Sequence, residues 1–189
     1  HDGGVRPAGE SDAAYVLKLK QSGTRGDREE QFLRQALSHA FLSRMVARYS
    51  ETRLEGNQQW MVLENVMSGM RQPWALDLKM GTRTFGHDAT PEKIAEQIFK
   101  AQSSTQSTMG IRVIGSRMVS SCGADVMEGS KYRNEPANET QMRLFLRRFL
   151  RSPSLLLQAR MVAADLEYWF ATQTDFAFYG SPLLFSFAS

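Results

Sequence analysis

The segment PWALDLKMG, residues 73–81, sets Asp77 and Lys79 two positions apart in an otherwise apolar run. A strand sends successive side chains to opposite faces. Ala75, Asp77 and Lys79 therefore share one face, and Trp74, Leu76, Leu78 and Met80 share the other. A fully buried face does not accept two charges without partners, so the charged face is open. It is either an ordinary solvated sheet surface or a cleft strand that offers a carboxylate and an ammonium to a ligand. Residues 71–120 carry seven Lys or Arg against four Asp or Glu, a local excess of three that equals the net +3 of the whole chain. An anionic small ligand would benefit from that field, and so would a soluble surface. A net charge of +3 is too small to argue for nucleic acid.

The elements that must position these residues follow from composition and pattern. With 189 residues, 42% hydrophobic and 23% charged, the chain can bury the core of one globular domain. No stretch approaches the roughly 18–20 apolar residues of a membrane span, and HDGGVRPAGESD at the start has no apolar signal-peptide core. The single cysteine, Cys122, excludes an internal disulfide and fits a reducing compartment, cytoplasmic or nuclear. His1, His39, His87 and Cys122 lie too far apart in sequence for metal-ligand spacing, so no zinc site is expected.

AAYVLKLK (13–20) alternates as a strand, and SGTRGD breaks it. From Arg28 to Tyr49, Phe32, Ala36, Leu37, Ala40, Phe41 and Met45 recur at helical spacing and predict one amphipathic helix. EGNQ is a turn, QWMVLE (59–64) a strand, NVMSGMRQ a linker, and the opening motif the next strand. Thr90-Pro91 and Ser152-Pro153 each read as an N-cap followed by proline at the first helical position. The first helix should bury Ile94, Ile98 and Phe99, and the second should run to about Thr172. SSTQST (103–108) reads as a polar turn, MGIRVIGSRMV as a strand pair or one long strand, and MEGSKYRNEPAN as a loop. Asn138 caps a helix with Met142, Phe145, Leu146 and Phe149 inside, whose arginines Arg143, Arg147 and Arg148, with Arg151, are assigned to a solvated face. SPLLFSFA is a last strand. Strands dominate the first part and helices the second, which makes the class α+β with two lobes.

Pro73, Asp77, Lys79 and Gly81 fill the fixed positions of P-x-x-x-D-x-K-x-G, and the chain resembles the inositol polyphosphate kinases in this motif. LENV (63–66), LDLKMGTR (76–83), STMGIRVIG (107–115) and YGSPLLF (179–185) are similar to further stretches of that family, closest to its inositol hexakisphosphate kinases. GDREEQF (26–32) is similar to the helix that follows the family's first lysine strand. The resemblance spans nearly the whole chain. It implies a two-lobed, protein-kinase-like fold in a single domain, with residues 1–66 as the N-terminal lobe and 67–189 as an incomplete C-terminal lobe. It also implies ATP bound between the lobes, Mg2+ as the divalent ion, and an inositol polyphosphate as acceptor. For the hexakisphosphate subfamily the product is a diphosphoinositol; for the multikinases the acceptor is a hydroxyl.

Under that resemblance Lys79 neutralises the transferring phosphate and holds the acceptor, and Asp77 orients the acceptor oxygen or the lysine. Lys18 contacts ATP phosphates, with Lys20 as a competitor for the role, and Glu29 is its helix partner. Glu64 and Val66 offer backbone groups to adenine. Arg83, Lys100 and Arg112 form a basic wall for the acceptor, since a polyphosphate needs several such groups. No nucleic acid or membrane partner is implied.

Two stretches depart from the family pattern. The family continues past its S-L-L strand to an Ile-Asp-Phe triplet whose aspartate chelates magnesium, and the sequence reaches Ser189 without it. TDFAF (174–178) precedes that strand, which is the wrong order. SKYRNEP (130–136) differs from the family's K-Y-Y-G-R stretch. The resemblance therefore leaves two descriptions open, a kinase seen without its C-terminal, metal-binding part or a non-catalytic inositol-phosphate-binding relative. On either, residues 1–189 alone are expected to show no magnesium-dependent transfer.

Overall fold

The computed structural model describes residues 4–8, 14–119, 126–129 and 136–188. The departure at 130–136, as far as residue 135, and the residues His1 and Cys122 lie outside them. The chain divides into two units, His1–Met70 and Arg71–Ser189.

The first unit is built on a four-stranded antiparallel sheet in the order β1-β2-β4-β3, with β1 Val5–Pro7, β2 Tyr15–Leu19, β3 Tyr49–Glu55 and β4 Gln58–Glu64. Gly56 and Asn57 close the β3–β4 hairpin, the turn that EGNQ predicts. Helix α1 spans Thr24–Ala36 and the short α2 Leu42–Met45. Leu33 of α1 packs with Tyr49 and Met61, flanked by Phe32, Val46 and Leu63.

The single helix expected to Tyr49 is therefore two, and the strand β3 was not foreseen. His39 turns the chain between the helices, its Nδ1 accepting from the amides of Phe41 and Leu42, both at 3.2 Å. That local side-chain capping outcompetes helix continuation. Tyr49, the expected end of that helix, instead opens β3, where its hydroxyl donates to Glu30 on α1 and meets Thr52 on β3. Leu37, an expected stripe residue, is exposed, while Leu42 is buried in its place.

The second unit contains the sheet β7-β6-β5-β8, all antiparallel, formed by β5 Trp74–Met80, β6 Ile111–Val119, β7 Val126–Gly129 and β8 Pro182–Phe187. The stretch predicted as a loop from Met127 thus begins as an edge strand paired to β6. Helices α3 Pro91–Gln102, α4 Gln106–Met109, α5 Glu139–Phe149 and α6 Pro153–Thr172 complete the unit. The three predicted caps are formed: Thr90, Asn138 and Ser152 accept from the amides of Lys93, Gln141 and Leu155. Trp74, Leu76 and Leu78 of β5 pack with Met142 and Phe149 of α5, and Trp74, Phe149 and Phe187 stack at 5.1–6.1 Å between ring centroids. Phe145 and Leu146 pack on the edge of this core.

Two expectations fail on α3 and α4. Ile94 is half-buried, but Ile98 and Phe99 are exposed; the helix instead buries Gln97 and Ala101. Gln97 is held there by the Thr84 hydroxyl, which donates to its Oε1 at 2.9 Å, so a polar bond sets the rotation that the apolar residues suggested otherwise. The segment read as a polar turn contains α4, and Thr105 and Gln106 are almost wholly buried. Among the described residues no helix is long and apolar enough to cross a membrane.

Candidate active site

β5 runs between β6 and β8, with its apolar face committed to the core. Its other face carries Ala75, Asp77 and Lys79, all half-buried. The register with β6 sets Lys79 opposite Arg112 and, across a bulge between Asp77 and Leu78, Asp77 opposite Gly115. Directly opposed residues project to the same face with Cβ atoms about 4.5–5.5 Å apart, so the two cationic side chains start from one face. The Nε of Arg112 is buried and donates to nothing among the described residues. A buried donor left so costs about 1–3 kcal/mol. Across from Asp77, a Cβ added to Gly115 would meet nothing within 4 Å.

The end of β5 is held by groups that the sequence did not advertise. Gly81 has φ +88°, a left-handed conformation natural to glycine. Its amide donates to Gly110 O at 2.8 Å and its carbonyl accepts from Gln106 Nε2 at 2.9 Å. Thr105 Oγ1 donates to Ile111 O at 2.7 Å, which ties α4 to the start of β6. These two buried polar residues fix the turn leaving Lys79 against the strand that carries Arg112. The only signal in the sequence is position, a polar run directly ahead of the strand that pairs with the motif.

Arg83 follows that turn. Its Nε donates to Phe85 O at 3.1 Å, and its guanidinium lies over the Phe85 and Tyr179 rings at 5.1 and 5.2 Å. Lys100 is engaged on its own helix by Glu96, which also holds Lys93. Those two ammonium groups, Lys100 first, hold the Glu96 carboxyl down to about 2. The structure thus sets Lys79 and Arg112 opposite each other in register, with Arg83 past the turn, and gives Lys100 a carboxylate partner. Arg143 pairs with Glu139 at the surface, while Arg151 stacks on Trp74 at 4.7 Å, so the last of the four arginines is not simply solvated.

In the first unit, Lys18 on β2 forms an ion pair with Glu29 on α1. Its competitor Lys20 is more covered and is held by two carboxylates, Asp27 at 2.8 Å and Glu30 at 2.9 Å. Hydrogen bonds that it donates to Asp27 and then to Glu30 raise its pKa above the ordinary lysine value. Glu30 also accepts from Arg34 and from the Tyr49 hydroxyl; with Lys20 these donors hold its carboxyl down to about 2. Lys20 is therefore consumed by structure, and Lys18 is the lysine of this strand with one acidic partner. After β4, the amides of Glu64, Asn65 and Met67 donate to Arg48 O, Ala14 O and Asn65 Oδ1. Among the described residues nothing accepts from the amide of Val66, which is itself exposed.

The family model described as inositol polyphosphate kinase matches residues 60–189, which is 130 of the 189 residues. The chain belongs to the inositol polyphosphate kinase family. Inositol hexakisphosphate kinase 1 of Homo sapiens is 35% identical over 153 residues, covering 76% of this chain and 33% of that protein. Inositol hexakisphosphate kinase 2 of Oryctolagus cuniculus is 34% identical over 143 residues, covering 72% and 34%. The chain spans about a third of the length of the curated relatives it matches. The fold is that of an inositol phosphate multikinase from S. cerevisiae, solved in complex with ADP and Mn2+. That likeness has a TM-score of 0.73 at 18% identity and covers 91% of this chain and 74% of that one. A second multikinase structure matches with a TM-score of 0.69 at 23% identity, covering 86% and 80%. The α+β, kinase-like architecture expected of the sequence is thus established.

Proposed function

We propose that this member of the family takes part in ATP-dependent phosphorylation of an inositol polyphosphate, with inositol hexakisphosphate as acceptor and a diphosphoinositol as product. The observation that carries the reading is the pairing of Lys79 with Arg112 across β5 and β6, with the buried Arg112 Nε facing no acceptor among the described residues. Two adjacent cations and an unused donor suit phosphate oxygens. Relatives 30–36% identical that are named for hexakisphosphate favour that acceptor; the likeness to multikinases lies at 18–23% identity and is one of fold.

Phosphoryl transfer has a loose transition state, so catalysis is mainly positioning and charge stabilisation. An oxygen of the acceptor phosphate bonds to the γ-phosphorus of ATP as the bridging oxygen leaves with ADP. Lys79 neutralises charge on the transferring group, and Asp77, two residues away on the same face, orients the lysine or the acceptor oxygen. A phosphate acceptor is already ionised near neutral pH, so Asp77 need not serve as general base. Arg112 and Arg83 hold phosphates of the inositol ring. On the first unit, Lys18, oriented by Glu29, meets ATP phosphates, and the backbone of Glu64 and Val66 meets adenine; the uncommitted Val66 amide supports this.

ATP use and a divalent ion are supported by the S. cerevisiae neighbour solved with ADP and Mn2+. Among the described residues, however, no three His, Cys, Asp or Glu side chains come together as a metal cluster. The described residues offer no such cluster, and no step is assigned to an ion held by them. The test is phosphoryl transfer by the intact protein from labelled ATP to inositol hexakisphosphate, with Lys79→Ala beside it. Labelled diphosphoinositol from the unsubstituted protein alone supports the reading. Transfer to a hydroxyl of a less phosphorylated inositol, with none to hexakisphosphate, moves the acceptor class to that of the multikinases.

A further inference from the structure

We infer that Tyr179 and Gly180, in the turn ahead of β8, are positioning residues that set where the acceptor-site cations Arg83 and Lys79 lie. The inference deepens the proposed function and rests on it. Neither residue carries a charge, and neither belongs to the motif around Asp77.

Gly180 adopts φ +62°, and a Cβ built on it would stand 2.5 Å from Lys79 Cε and 2.9 Å from Thr84 Cβ. The place of a side chain at 180 is thus the path of the Lys79 arm. The backbone cannot simply retreat: Met80 donates to Ser181 O at 3.0 Å, and Lys79 is in register with Pro182. Two strands pin the turn against the lysine, so a side chain at 180 must displace the ammonium arm, the Thr84 side chain or the strand pairing.

Tyr179 acts on the other cation. Its ring and that of Phe85 both lie within about 5 Å of the Arg83 guanidinium, whose Nε is held by Phe85 O. The tyrosine hydroxyl is 3.1 Å from His87 Nε2, and the loop backbone runs against the ring, where a Cβ at Gly86 would be 3.7 Å from Tyr179 Cδ2. One ring therefore anchors the loop at His87 and supports the arginine at Arg83. An exposed arginine ordinarily loses rotamer freedom when it grips a phosphate. Here much of that ordering is done before a ligand arrives.

The test measures affinity of the intact protein for inositol hexakisphosphate across a salt series, for Tyr179→Leu, Arg83→Gln, the double variant, Tyr179→Phe and Gly180→Ala. Tyr179→Leu should weaken binding roughly two- to fivefold. It should also flatten the salt dependence as Arg83→Gln does. The double variant should bind no more weakly than Arg83→Gln, because the ring acts through the arginine. Tyr179→Phe keeps the stack and should stay within about twofold of the unsubstituted protein. Gly180→Ala should weaken binding with no additional loss when combined with Lys79→Ala. A merely structural tyrosine gives additive losses and an unchanged salt slope, and that result overturns the inference while leaving the proposed function standing. Absence of salt-dependent binding in the unsubstituted protein overturns both.

Discussion

Arg112→Met should move stability and ligand binding in opposite directions. In the free protein the buried Arg112 Nε has no acceptor among the described residues. Removal of an unsatisfied buried donor contributes about 1–3 kcal/mol. Methionine keeps the aliphatic stem, so little packing is lost. The net expectation is stabilisation by about 1 kcal/mol, or roughly 2–4 °C in Tm for a chain of this size. Inositol hexakisphosphate should reverse the order, because ligand at a hundredfold excess over Kd stabilises by about 2.7 kcal/mol and the variant binds more weakly. Thermal unfolding of both proteins with and without the ligand reads all of this. The reasoning is refuted if Arg112→Met is less stable without ligand, or gains as much from ligand as the unsubstituted protein.

Lys79→Ala should abolish transfer while leaving the fold intact, since Lys79 lies on the open face of β5; steady-state turnover within tenfold of normal, under about 1.4 kcal/mol, contradicts its role. The Glu30 carboxyl is depressed from 4.5 to about 2. Its stabilising contribution is therefore fully present above about pH 4.5 and fades as pH falls towards 2, with a ceiling of about 3 kcal/mol that its partial exposure reduces. Denaturant titrations of Glu30→Gln should show a deficit at neutral pH that narrows over that window, and a constant deficit argues against the carboxylate. Gln106→Leu deletes the bond to Gly81 O and should cost about 1–3 kcal/mol by chemical denaturation; a neutral result would mean that the turn after Lys79 is held otherwise.

The strands and caps of the charged face were legible because their signals are local. Period-two alternation placed Asp77 and Lys79 opposite Trp74, Leu76 and Leu78, and Thr90, Asn138 and Ser152 announce their helices by residue type alone. The pairing of Lys79 with Arg112 was not legible, because register depends on a bulge at Asp77 and on partners 30 or more residues away. The same holds for α3, whose rotation is fixed by the Thr84–Gln97 bond rather than by Ile98 and Phe99. Tyr49 looked helical by spacing, but its hydroxyl has partners on both α1 and β3. Gln106 and Thr105 read as surface because polar residues usually are; burial with full hydrogen bonding to backbone is visible only in three dimensions. Lys18 and Lys20, two apart on one expected strand, could be ranked only once their carboxylate partners were known.

The most direct measurement is a crystal structure of the intact protein with inositol hexakisphosphate. A phosphate oxygen within about 3 Å of Arg112 Nε, with a second phosphate at the Lys79 ammonium, is the predicted result. Phosphates bound only along α5, at Arg143, Arg147 and Arg148, with the face of Lys79 and Arg112 left bare, would contradict the account.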